Sequence, residues 1–272
     1  MCQRLMGKSA LVTGSTSGIG KATAIEFARQ GAKVVVTGRR RELGEAVVKE
    51  ITGAGGEASY FQADFARPEH IEALHGFVRD KYAALDVLVN NAGLPGAGRA
   101  GRLADPPGEL WTGTAEELWD ELYRVGLRAT ELCCKLFLPL LIASGHGSII
   151  NISSIHALRG LGSDAYAAIK GAIMSLSTSL AVSYAQNRVR VNCICPGAVV
   201  VERLAPKYRD NPKLKEAALR QSLTRLGTPQ DIAYCCVYLA SDESEYVTGA
   251  VFNIDGGMHA KGTYTIPGSE GI

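Results

Sequence analysis

The stretch "SALVTGSTSGIGKATAIEFARQ", Ser9 to Gln30, decides the fold. Its first part, "SALVTG" (9–14), reads as a strand, and a helix follows from about Gly18 to Gln30. The turn between them is "TGSTSGIG", Thr13 to Gly20. Gly14 allows a tight turn, Gly18 a close approach of the backbone, and Gly20 the packing of helix on strand. The unpaired N–H groups at the helix start then face outward as a site for an anionic pyrophosphate. A glycine-rich turn alone is a weak signal. At the first strand–helix junction of such a chain it favours a dinucleotide site over a plain structural turn. The candidates there are Gly14, Ser15, Thr16, Ser17, Gly18, Ile19 and Gly20.

Working outward, strand-like runs alternate with helical patterns. "KVVVTG" (33–38) precedes a helix over 42–54, and "EASYFQAD" (57–64) one over 68–82. "LDVLVNNAG" (85–93) comes before a loop and a helix over Leu118 to Cys134. "GSIINIS" (147–153) precedes a helix over 165–186, and "VRVNCICPG" (189–197) and "AVFNIDGG" (250–257) complete seven strands. Several strands are apolar throughout, as expected when helices cover both faces of a parallel sheet. The alternation predicts right-handed crossovers and an α/β Rossmann fold, doubly wound around a seven-stranded parallel sheet, in one domain spanning 1–272. Two segments break the rhythm: a Gly/Pro/Arg loop at 94–114, of a length that is usually functional or mobile, and a tail over 258–272 without core pattern.

Composition narrows the function classes. Of 272 residues, 46% are hydrophobic and 21% charged, which fits a soluble globular chain. A formal net charge of +2 gives no reason to expect a nucleic-acid or acidic-membrane partner. No apolar stretch reaches the roughly 18 residues of a membrane span, and "MCQRLMGKSALVTG" runs straight into a strand pattern, so no signal peptide is expected. The seven cysteines make neither a disulfide framework nor a metal site, so they read as small buried hydrophobes in a reducing cytoplasm.

Two further stretches carry chemistry. A dinucleotide site with NAD places an acid at the end of the second strand, yet "VVVTGRRR" has none from Val34 to Arg41. Guanidinium groups there suit a 2′-phosphate, which favours NADP over NAD, with Arg39 first and Arg40 second. "YAAIK" sets Tyr166 and Lys170 one helical turn apart. A phenol near pKa 10 is a poor acid–base group at neutral pH. An ammonium beside it is expected to lower that pKa, so that the pair exchanges a proton with a carbinol oxygen.

Together "TGSTSGIG", "AD" (63–64), "NNAG" (90–93), "NISS" (151–154), "YAAIK", "CPG" (195–197) and "GAVFNIDGG" resemble the classical short-chain dehydrogenases/reductases over nearly the whole chain. The resemblance implies that Asp64 and the Phe65 backbone hold the adenine, and that Asn91, Ala92 and Gly93 lie against the cofactor. Tyr166 and Lys170 would also bind the nicotinamide ribose, and Pro196, Gly197 and the Val199 backbone would meet the carboxamide side. It implies a substrate lid over 198–226, an alcohol or carbonyl substrate and a homotetramer or homodimer, with contacts through the helices carrying Gly126 and Tyr166 and through the last strand.

The family also has a serine that hydrogen-bonds the substrate oxygen. "NISS" aligns Ser154 with it, whereas the family's usual spacing to the tyrosine points to Ser153. Side chains alternate along a strand, and a loop loses a residue more easily than a strand shifts register, so Ser154 is preferred. His156 beyond it reads as a satisfied loop histidine. Leu94, Trp111, Leu158 and Leu161 suggest a fairly apolar pocket, although the same residues would serve as packing.

Two positions depart from the pattern: Val201 stands where a threonine is frequent, and Gly126, seven residues after Trp119, where an asparagine is usual. The leading expectation is an NADP-dependent oxidoreductase using Ser154, Tyr166 and Lys170. The alternatives are a cofactor sensor or scaffold that has lost catalysis, and a dehydratase or isomerase on the same framework. Gly126→Asn is expected to be tolerated.

Overall fold

The computed structural model describes residues 3–94, 116–161 and 164–261. Seven strands form one parallel sheet: β1 Ser9–Val12, β2 Lys33–Gly38, β3 Glu57–Gln62, β4 Val87–Asn90, β5 Ser148–Ile152, β6 Arg190–Pro196 and β7 Val251–Ile254. Their order across the sheet is β3-β2-β1-β4-β5-β6-β7. The helices are α1 Gly18–Arg29, α2 Arg41–Gly53, α3 Pro68–Lys81, α4 Glu116–Leu122, α5 Ala129–Ala143, α6 Asp164–Tyr184, α7 Ala205–Asp210, α8 Pro212–Gln221 and α9 Pro229–Ala240.

Neighbouring residues on a strand serve opposite cores, because side chains alternate across a sheet. Ala10 and Val12 of β1 join Val34 and Val36 of β2 beneath α1, α2 and α9. Leu11 and Val35 face the other way, toward Leu74 of α3 and Phe137 of α5. All of these side chains are buried. Both faces therefore demand apolar residues, which is why the strands read as unbroken apolar runs.

The chain turns outward in opposite directions on either side of the β1–β4 pair, where Ala10 lies opposite Val87 and Val12 opposite Val89. In open α/β sheets the crevice above such a reversal, at the carboxyl ends of the strands, is where ligands bind. The turn after β1 and "NNAG" after β4 both end there. The expected loop over 94–114 and tail over 258–272 lie mostly outside the described residues, and Trp111 lies outside them altogether.

Two expectations need correcting. The helix read from Leu118 to Cys134 is interrupted, since Tyr123–Arg128 forms a π-helical turn between α4 and α5. The segment Asp164–Asn187, which includes α6, is long and apolar enough by length and composition to cross a membrane. Few charges interrupt it because one side of α6 buries Ala165, Ile169, Ile173 and Ala181 within the fold.

Candidate functional site

The glycine turn is built by close packing. A Cβ on Gly14 would meet the Ala92 Cα at 2.9 Å, and one on Gly20 would fall 2.4 Å from the Asn91 Nδ2 and 2.5 Å from the Gly14 carbonyl. Contacts under 3 Å leave no room for a side chain. Gly14 and Gly18 also have φ of +64° and +58°, the left-handed region that glycine adopts without cost.

Asn91 pins this turn. Its Nδ2 donates to the carbonyls of Thr13 and Gly14 at 2.9 and 3.1 Å, and its N–H donates to the Thr13 Oγ1 at 2.9 Å. The asparagine amide thus faces the turn backbone, and Thr13, which the sequence reading passed over, is its partner. Ser15 is also committed to the fold. Its hydroxyl donates to the Val12 carbonyl at 2.6 Å and accepts the Thr37 N–H at 2.9 Å, tying β1 to β2.

The α1 N-terminus is left open by its own residues. Ser17 at the N-cap makes no side-chain cap bond, and the first turn holds no acid. An anion nonetheless sits there: Glu202 Oε2, from the segment after β6, accepts the Gly18 N–H at 2.9 Å. At the end of β2, Arg40 donates from Nη2 to Ser17 Oγ at 2.7 Å and to Thr16 Oγ1 at 3.3 Å. Arg39 contributes its carbonyl to Gln62 Nε2 at 2.9 Å, and its side chain is exposed. A Cβ on Gly38 would meet Thr16 Cγ2 at 2.8 Å, so no carboxylate fits at that strand end. Open helix donors, a stand-in carboxylate and a guanidinium over the turn fit a phosphorylated dinucleotide.

Asp64, beyond the end of β3, accepts the Ala66 N–H at 3.0 Å through Oδ1, and Phe65 beside it is buried. Beyond β6, Gly197 donates its N–H to the Ile254 carbonyl, and Val199 forms a short parallel bridge with Gly227.

Ser153 and Ser154, just past the end of β5, turn their hydroxyls to different groups around α6. Ser153 Oγ donates to the Lys170 carbonyl at 2.7 Å. The Ser154 hydroxyl accepts the His156 N–H at 3.2 Å and lies close enough to the Tyr166 phenol to oppose the rise of its pKa. Lys170 is 7% exposed. Its Nζ donates to the Ile152 carbonyl at 2.8 Å, stands 5.7 Å from the Tyr166 ring centroid, and lies beside Gly93. Ser154, Tyr166, Lys170 and the "NNAG" turn thus meet at one place.

Titration in this cluster differs from the expectation that Lys170 lowers the Tyr166 pKa. Burial pushes the phenol up, opposed by the hydrogen bond from Ser154 and the charge of Arg203. Burial also pulls Lys170 down to about 8. Desolvation disfavours the charged form of both groups, and at Lys170 it outweighs the opposing pull of Cys193 and Cys195. Burial raises Cys134 to about 12, whereas, in the buried pair beneath Lys170, Cys193 is raised and Cys195 lowered, each chiefly by the other.

His156 is a second correction. Its Nδ1 is buried with no partner among the described residues, and its ring stands edge-on to Tyr166, centroids 5.3 Å apart at 85°. The ring packs on the phenol, and that contact encloses the nitrogen. Leu94 and Leu158 pack in the apolar cluster around Tyr166, with Cys193 and Cys195 beneath. They are packing before they are pocket.

The π turn lies against this helix. The Gly126 carbonyl accepts the Thr130 hydroxyl at 2.7 Å, and a Cβ on Gly126 would meet Ile169 Cγ2 at 2.9 Å. Gly126→Asn therefore requires Ile169, one residue before Lys170, to shift.

Comparison with known proteins identifies the family. Residues 14–259 match the sequence model of the family described as enoyl-(acyl carrier protein) reductase. The 3-oxoacyl-[acyl-carrier-protein] reductase of Thermotoga maritima is 35% identical, over 94% of this chain and 99% of its own. Dehydrogenase/reductase SDR family member 6 of Rattus norvegicus is 35% identical, over 93% and 98%. Among solved structures, the L-sorbose reductase of Gluconobacter frateurii, complexed with NADPH and L-sorbose, superposes with a TM-score of 0.85. It is 29% identical and covers 96% of this chain and 100% of that one.

Proposed function

Since the chain belongs to the short-chain dehydrogenase/reductase family and is an NAD(P)-dependent oxidoreductase, we propose that it interconverts a secondary alcohol and a ketone, with NADP as its dinucleotide and Ser154, Tyr166 and Lys170 as its working residues. The observation that carries this reading is the meeting of Ser154 and the Tyr166 phenol beside a buried Lys170. The Ser154 hydroxyl holds the carbonyl oxygen of the substrate. Tyr166 gives that oxygen a proton in reduction and takes it back in oxidation. Lys170, with a pKa of about 8, lies close enough to neutrality to pass the proton on and to orient the ribose.

When bound, the nicotinamide supplies or accepts the hydride. The turn from Gly14 to Gly20 holds the pyrophosphate. Asp64 and Phe65 hold the adenine, while Asn91, Ala92, Gly93, Pro196, Gly197 and Val199 shape the nicotinamide side. The choice of NADP draws on the missing acid at the end of β2 and on Arg40 over Ser17 and Thr16, with Arg39 beside it. Assembly in two or four copies and a reducing, cytoplasmic setting complete the reading. The described cysteines are all free thiols, which supports such a setting.

Tyr166→Phe is the direct test. It removes the proton and leaves the ring, so NADPH binding persists while ketone reduction falls by about a hundredfold or more. Turnover close to wild type in that variant overturns the assignment. Equal affinity for NADH and NADPH, read by fluorescence titration, overturns the cofactor choice.

A further inference from the structure

The donors that open α1 are met by a residue far along the chain. Glu202 Oε2 accepts the Gly18 N–H at 2.9 Å across a sequence separation of 184, and no cation among the described residues pairs with its carboxylate. Its position is fixed by its own segment. The Val200 N–H donates to the Gly227 carbonyl at 2.8 Å, and the N–H groups of Leu204 and Ala205 donate to the Val201 carbonyl at 2.8 and 3.1 Å. Val201 closes the contact from the other side, since a Cβ on Gly18 would meet its Cγ1 at 3.2 Å. The lid is thus fastened to the glycine turn by one charged hydrogen bond and one apolar contact.

We propose that Glu202 is a latch. Its carboxylate holds the α1 N-terminus until the pyrophosphate of a dinucleotide displaces it, so that binding of the cofactor releases the lid. The inference rests on the dinucleotide reading above. Two anions cannot share one N–H donor, and the helix end favours negative charge from either source. The chain is therefore its own competitor, and apparent cofactor affinity falls by the fraction of molecules with the latch open. Charge and reach are separable: Glu202→Gln keeps the shape and removes the charge, whereas Glu202→Asp keeps the charge and shortens the reach.

The experiment titrates NADPH, and adenosine 2′-monophosphate as a probe without pyrophosphate, into wild type and both variants, and records the melting temperature of each free protein. Both variants are expected to bind NADPH about five-fold tighter, the effect of removing a competing contact of ordinary helix-end strength. They should bind adenosine 2′-monophosphate unchanged, and the free proteins should melt lower for loss of the cap. NADPH affinity equal to wild type in both variants overturns the latch, as does an equal gain for both ligands, which marks a general charge effect. If wild type binds neither NADPH nor NADH, the dinucleotide reading fails and the latch with it.

Discussion

Lys170 concentrates the chemistry at the scale of a single residue. An exposed lysine titrates near 10.5, whereas burial holds this one at about 8. The native chain therefore releases this proton before the unfolded chain does. Lys170 opposes folding fully below pH 8, and that opposition fades as pH rises toward 10.5. Tyr166, raised above 10, acts in the other sense only beyond that value. Lys170→Met removes the penalty. The variant is thus expected to be more stable than wild type near pH 7, with the difference shrinking toward pH 10 in urea unfolding. A difference constant with pH would mean that Lys170 is charged at no cost in the native state. None of this is legible in "YAAIK", whose spacing places the pair on one helix but says nothing of how deeply the sheet buries it. The same holds for Glu202, whose partner Gly18 lies 184 residues away.

Among elements, the interrupted helix around Gly126 is the informative one. Sequence spacing gives a helix with a misplaced glycine, and the seven strand positions follow from apolar runs to within a few residues. The reason for a glycine there could not be read in the same way, because it is tertiary: Ile169 of α6 occupies the space a Cβ would need. In an ordinary helix Gly→Ala gains about 1 kcal/mol. Here Gly126→Ala is expected to lose about 1–2 kcal/mol in urea unfolding, because overpacking a filled contact costs about 1–3 kcal/mol. Adding Ile169→Leu removes the Cγ2 methyl at nearly constant volume and should recover most of that loss. A single variant as stable as wild type would show that α6 yields freely at this point.

For the whole molecule, the sheet order follows from crossover rules that the sequence already obeys, and the site falls at the reversal between β1 and β4. The outer surface follows less directly. Val182 on α6 is 78% exposed and Tyr246, just before β7, is fully exposed, while Trp119 and Tyr123 lie partly open near the π turn. Such apolar side chains are costly in water when they cluster. The proposed assembly is expected to cover Val182 on α6. Light scattering is expected to give two or four times the chain mass, and Val182→Glu, a charge placed in the contact, a smaller species. A wild-type monomer removes the assembly from the reading.

The short bridge between Val199 and Gly227 has a consequence of another kind. The Val200 N–H meets the Gly227 carbonyl at 2.8 Å, and the Gly227 N–H meets the Ala198 carbonyl at 2.9 Å. Everything between forms a closed loop with a pinned neck. Just beyond the neck, Asp231 caps α9 and takes both ends of the Arg225 guanidinium at 2.7 and 2.6 Å. A loop whose ends are already joined can lengthen or shorten at little entropic cost, about 0.6 kcal/mol per doubling. Within the loop, Leu223 donates its N–H to the Gly256 carbonyl at 2.9 Å, a second tie just beyond the last strand. Changes of length within this loop are therefore expected to be tolerated best where they leave the neck, and the Glu202 and Val201 contacts with Gly18, in place.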